Sequence, residues 1–129
     1  MTDAAKSKIL VVDDELTVCK SIRQALVSDA YDIDMALSGE EALKKEDEKK
    51  FDVIIADLIM PGLGGLDLLK FLKAKNSSAK VIMITSYPTM KTAVRSIQAG
   101  VFDHIPKPFL PSQLRSLVAR ALAPIDKGK

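Results

Sequence analysis

A chain of 129 residues with 47% hydrophobic and 28% charged residues has the composition of one globular domain, long enough to bury a core without staples. Its formal charge of +2 is too small to argue for nucleic acid, and its single cysteine excludes an internal disulfide. No apolar run approaches the ~18 residues of a membrane span, and the first residues lack the apolar centre of a signal peptide, so a cytoplasmic protein without membrane contact is expected.

The first apolar run, 8–13, is short and β-branched, as a strand buried on both faces should be. Residues 15–28 then place Val18, Ile22, Ala25 and Leu26 at helical spacing, with Cys19 expected to pack inside. Tyr31 to Ala36 is a second strand, and a helix opens at Ser38-Gly39-Glu40-Glu41. This second helix runs into Lys44-Lys45-Glu46-Asp47-Glu48-Lys49-Lys50, seven charged residues where an apolar stripe should continue. Glu46 falls on what should be the inner face. The segment is either a helix whose last turns project into solvent or a charged docking surface.

Strand three is expected over 52–56. After the loop Met60-Pro61-Gly62-Leu63-Gly64-Gly65, a helix runs through Leu68, Leu69 and Leu72. Strand four covers 80–84. The fourth helix opens near Pro88 and stops at Gly100, with Met90, Ala93, Val94 and Ile97 as its apolar stripe. Strand five covers 103–106. A fifth helix, about 111–122, buries Leu114, Leu117, Val118 and Ala121.

Strands alternating with helices specify an α/β fold, a doubly wound parallel sheet with helices on both faces. Right-handed crossovers favour the flavodoxin-like order 2-1-3-4-5. Pro106 agrees, because proline in a strand is tolerated at a sheet edge and this order puts strand five at one. Residues 1–123 are expected to form the domain, and 124–129 a tail or the start of a linker.

In such a sheet the polar residues that close each apolar run converge on one edge. Asp13 and Asp14 close the first run, Asp57 the third and Thr85 the fourth, and Lys107 follows strand five. Each has an ordinary explanation alone: Asp14 as a helix cap, Asp57 as a turn residue, Lys107 as a surface lysine, Thr85 as a strand-end threonine. Joint placement argues for chemistry. At ~5 Å separation and an effective dielectric of about 20, each carboxylate pair costs on the order of 3 kcal/mol. The cluster must hold protons or a cation, and a few hard carboxylate oxygens suit Mg²⁺. Adding a lysine and a hydroxyl makes a phosphoryl-transfer site with a carboxylate as nucleophile.

These residues closely resemble the receiver domain of two-component response regulators. The matching stretches are Val-Val-Asp-Asp-Glu (11–15), Ser-Gly-Glu-Glu-Ala-Leu (38–43) and Asp-Leu-Ile-Met-Pro-Gly-Leu-Gly-Gly-Leu (57–66). Met-Ile-Thr-Ser (83–86), Ala-Gly-Val-Phe-Asp (99–103) and Pro-Lys-Pro-Phe (106–109) complete the set. From Thr85 to Phe109 the chain looks most like receivers of nitrogen-regulation-class transcriptional activators.

The resemblance implies that Asp57 accepts a phosphoryl group from a sensor histidine kinase. It implies that Asp13, Asp14, Asp57 and the backbone carbonyl of Ile59 bind Mg²⁺, and that Thr85 and Lys107 contact the phosphoryl oxygens. Lys107–Pro108 would be a cis peptide. The output surface would be the fourth helix, fifth strand and fifth helix, through which the domain homodimerises or meets a partner to control transcription, without touching nucleic acid itself. Lys91, Arg95 and Arg115 either decorate that surface or are ordinary solvated charges, which explains them equally well.

Two positions depart from the usual pattern. Where the family carries an aromatic switch residue, this chain has His104, and imidazole charging near an unperturbed pKa of roughly 6.5 would oppose inward burial. The positions two after Asp57 and two after Thr85 are the bulky Ile59 and Tyr87, which implies slow loss of the phosphoryl group. The domain is not expected to be a turnover enzyme. The alternative is an Mg²⁺-dependent phosphatase of the haloacid dehalogenase type, but it would need Asp-x-Asp where this chain has Asp13-Asp14-Glu15.

Overall fold

The computed structural model describes residues 6–85, 95 and 97–123. In chain order the elements are β1 (Ser7–Val12), α1 (Leu16–Leu26), β2 (Tyr31–Ala36), α2 (Gly39–Glu48) and β3 (Val53–Asp57). They continue with α3 (Gly65–Ala74), β4 (Lys80–Thr85), β5 (Asp103–Pro106) and α4 (Pro111–Leu122). All strand pairs are parallel, in the order β2-β1-β3-β4-β5. The expected architecture is therefore the one observed, and Pro106 lies on an edge strand.

Alternation along the strands divides the core in two. Ile9, Val11, Ile55, Ile82, Ile84 and Ile105 point to the face where α1 contributes Cys19, Ile22 and Leu26, and α4 contributes Leu114, Leu117, Val118 and Ala121. Leu10, Val12, Ile54, Ala56, Val81 and Met83 point to the other face, against Ala42 of α2 and Leu68, Leu69 and Leu72 of α3. Burial on both faces is why the central strands are continuously apolar, since successive side chains go to opposite sides.

Element ends differ from expectation by one or two residues, for reasons found in the hydrogen bonds. β1 stops at Val12, but the Asp13 amide still donates to the Ala36 carbonyl at 3.1 Å, so the ladder runs into the loop. β3 and β4 extend through Asp57 and Thr85, which pair with Ile84 and Pro106. α1 ends at Leu26, with Val27 out of helical conformation. The helix expected to open near Pro88 lies outside the described residues, apart from Arg95, Ile97 and Gln98, which are helical. Ile97 is 65% exposed, against its expected place in the stripe. Beyond it, Ala99 and Val101 pack against the α3-side core instead.

The charged end of α2 is a second correction. Glu46 does not project into solvent; it is 1% exposed. Its Oε1 accepts from the Phe51 amide at 3.0 Å, its Oε2 accepts from the Ser77 hydroxyl at 2.8 Å, and Lys50 Nζ stands 3.9 Å away. Its neighbours are engaged as well. Lys45 bonds Asp34 Oδ1 at 3.0 Å and the Met35 carbonyl at 2.7 Å, Lys49 lies 3.6 Å from Asp32, and Asp47 is bonded by Lys75. The run is a set of braces to β2 and α3. Its start is capped by Ser38, whose hydroxyl accepts from the Glu41 amide at 3.0 Å while the Glu41 carboxylate accepts from the Leu37 amide at 2.7 Å.

Candidate phosphoryl site

The parallel order sends the β1, β3, β4 and β5 ends to one edge, and the predicted residues meet there. Asp13, Asp14 and Asp57 each offer a carboxylate oxygen within 4.8 Å of the others, the one acidic group among the described residues able to hold a metal ion. Asp13 is buried, Asp57 partly so, and Asp14 exposed. The Lys107 ammonium spans the cluster, 3.2 Å from Asp57 Oδ2 and 3.5 Å from Asp13 Oδ2. Thr85 is 3% exposed at the end of β4.

Local backbone geometry aims these groups. Asp13 Oδ1 accepts from the Glu15 amide at 2.9 Å, and Asp57 Oδ1 accepts from the Ile59 amide at 3.1 Å. Each acid thus closes a small turn with its first oxygen and presents the second to Lys107. Asp14 is not a helix cap: Glu15 occupies the cap position of α1, without a side-chain bond. The Lys107 amide donates to the Thr85 carbonyl at 2.7 Å, which extends the β4–β5 ladder by one step and delivers the lysine to the edge. The Lys107–Pro108 peptide is cis.

Gly65, which no expectation singled out, stands against the site. A Cβ there would lie 2.4 Å from the Asp57 carbonyl oxygen and 2.6 Å from Met83 Sδ. Only glycine lets the first turn of α3 close against Asp57. The paired Gly64-Gly65 before a helix was the available signal.

The electrostatics match crowded acids. Burial pushes the Asp13 carboxyl above the ordinary carboxylate value, with the Asp57 charge adding to it; the Glu15 amide and Lys107 pull down but do not offset this. Burial works against the Lys107 charge too, but Asp57 first and Asp13 second outweigh it, and its pKa is raised. One ammonium serves two carboxylates, and the lysine gains from both. Behind them Cys19 Sγ donates to the Asp13 carbonyl at 3.5 Å, and burial, with the Asp13 charge, raises its pKa to about 11. That thiol is inert packing.

His104, on β5, pairs with Met83 of β4 and lies away from the acids, its side chain 34% exposed and Nδ1 4.0 Å from Asp103 Oδ1. Ile59 follows Asp57 in the loop, its side chain exposed and its amide bonded to Asp57 Oδ1. Arg115, exposed on α4, donates from its guanidinium to the Ala25 carbonyl at 3.3 Å, at the end of α1, on which α4 packs. Arg95 is exposed. Lys91 and Tyr87 lie outside the described residues.

Residues 9–119 match the response regulator receiver domain model. The chain belongs to the response regulator receiver domains. ZraR of Salmonella typhimurium, a transcriptional regulatory protein, is 34% identical over 118 residues, which is 92% of this chain and 27% of ZraR. The transcriptional regulatory protein ResD of Bacillus subtilis is 35% identical over 125 residues, 94% of this chain and 52% of ResD. This receiver domain thus spans about a quarter to a half of those relatives. Among solved structures, the chemotaxis protein CheY4 of Vibrio cholerae superposes with a TM-score of 0.86 at 28% identity, covering 92% of this chain and all of that one. A receiver domain from Clostridium thermocellum gives 0.83 at 31%, covering 90% and 94%. The domain is a switch of two-component signalling, not a phosphatase of the haloacid dehalogenase type. Among the described residues, no helix is long and apolar enough to cross a membrane.

Proposed function

We propose that Asp57 is the phosphoacceptor of this receiver domain. The observation that carries this is the Lys107 ammonium held 3.2 Å from Asp57 Oδ2 inside a group of three carboxylates. A carboxylate oxygen of Asp57 attacks the phosphorus of a phosphohistidine; the P–N bond breaks and the imidazole leaves with that electron pair. Lys107 then exchanges its contact with the carboxylate for one with the phosphoryl oxygens, a stronger anion. Thr85, at the adjacent strand end, offers its hydroxyl to the same oxygens.

Asp13, Asp14, Asp57 and the Ile59 carbonyl would hold Mg²⁺. The fit rests on the donor set: hard carboxylate oxygens within 4.8 Å of one another, with burial first and the Asp57 charge after it raising Asp13. When bound, the ion supplies charge neutralisation to the transferring phosphoryl group. The domain catalyses only its own phosphorylation and dephosphorylation. The exposed, bulky Ile59 shields the acyl phosphate from water, and slow hydrolysis follows.

The donor is a sensor histidine kinase, in the cytoplasm. The new charge and acceptors bias a pre-existing equilibrium, and the output is homodimerisation or a partner contact on the face formed by β5, α4 and the helix bearing Arg95. Transcription control through an attached or separate output fits the relatives, ZraR and ResD being transcriptional regulatory proteins. Residues 124–129, read from the sequence as a tail or the start of a linker, lie outside the described residues.

The test is incubation with acetyl phosphate and Mg²⁺, read by intact mass and by oligomeric state. Wild type is expected to gain one phosphoryl group and Asp57→Asn none. A phosphoryl adduct on the Asn variant overturns the assignment. Ile59→Asn should shorten the adduct's lifetime, and an unchanged lifetime removes the shielding role.

A further inference from the structure

We draw no further inference here: the strongest candidate, the apolar groove of about 630 Å³ between α1 and the loop after β5, lined by Val18, Ile22, Ala25, Pro108 and Phe109, borders the site already described at Lys107, and nothing in the structure shows what covers it.

Discussion

The two ends of the sheet treat carboxylates in opposite ways. At the amino end each acid has its own partners. Glu46 is bonded by the Phe51 amide and the Ser77 hydroxyl, Asp52 accepts from the Lys8 amide at 2.8 Å, and Asp47 is lowered by its hydrogen bond from Lys75. At the carboxyl end three acids crowd together, two of them share one lysine, and burial with a like charge raises Asp13. Satisfied acids lock loops in place. Crowded ones are retained against stability, which is what a site built to receive a cation and a phosphoryl group requires.

The largest expected effect comes from breaking the satisfied end. Glu46→Ala leaves the Phe51 amide and Ser77 hydroxyl without an acceptor and opens a hole under α2, so urea denaturation should show a loss of about 3 kcal/mol. A loss below about 1 kcal/mol would mean that the acid is not a brace. Phosphorylation of the folded variant by acetyl phosphate should persist, because the two ends are independent.

Gly65→Ala strikes the crowded end through its backbone. The added methyl must displace the Asp57 carbonyl or Met83, costing about 2 kcal/mol, and phosphorylation should slow because the acceptor moves. Normal stability with a normal rate would show that α3 can back away freely.

Removing the buried, crowded charge of Asp13 should have a smaller effect of the opposite sign. Without Mg²⁺, Asp13→Asn should stabilise the fold by on the order of 1 kcal/mol at neutral pH. Because the folded protein raises the Asp13 pKa, the wild-type acid contributes stability at pH below its unfolded value and loses it as pH rises through the raised one. The variant's advantage should therefore open across that window and be absent below it. Saturating Mg²⁺ should reverse the order by stabilising only the wild type. Thermal melts across pH, with and without the ion, decide; a destabilised variant in metal-free buffer would contradict the crowding.

The smallest effect concerns His104, one strand edge away from the cluster. The ring lies outside the acidic cluster, so His104→Phe should leave the rate of phosphorylation by acetyl phosphate unchanged and alter only the size of the change that follows. A slower phosphorylation of the variant would place the ring within the site itself.

Much of this was legible in the residues because each signal is local. Four short apolar runs ending in Asp13, Asp57, Thr85 and, after Pro106, Lys107 need only the rule that parallel strands are buried on both faces and that loops at their carboxyl ends converge. Pro106 marked the edge strand for the same kind of reason: it has no amide to donate. Tertiary structure alone decided the rest. Glu46 looked misplaced because helical periodicity cannot reveal that Phe51 and Ser77, from two other loops, supply its hydrogen bonds. The need for glycine at 65 depends on how closely α3 approaches β3, a distance no spacing encodes. Arg115 turned to α1 because α4 packs there. The raised proton affinity of Asp13 required knowing that this acid is buried while Asp14 beside it is not. Sequence determines which groups reach the edge; packing determines which of them are satisfied when they arrive.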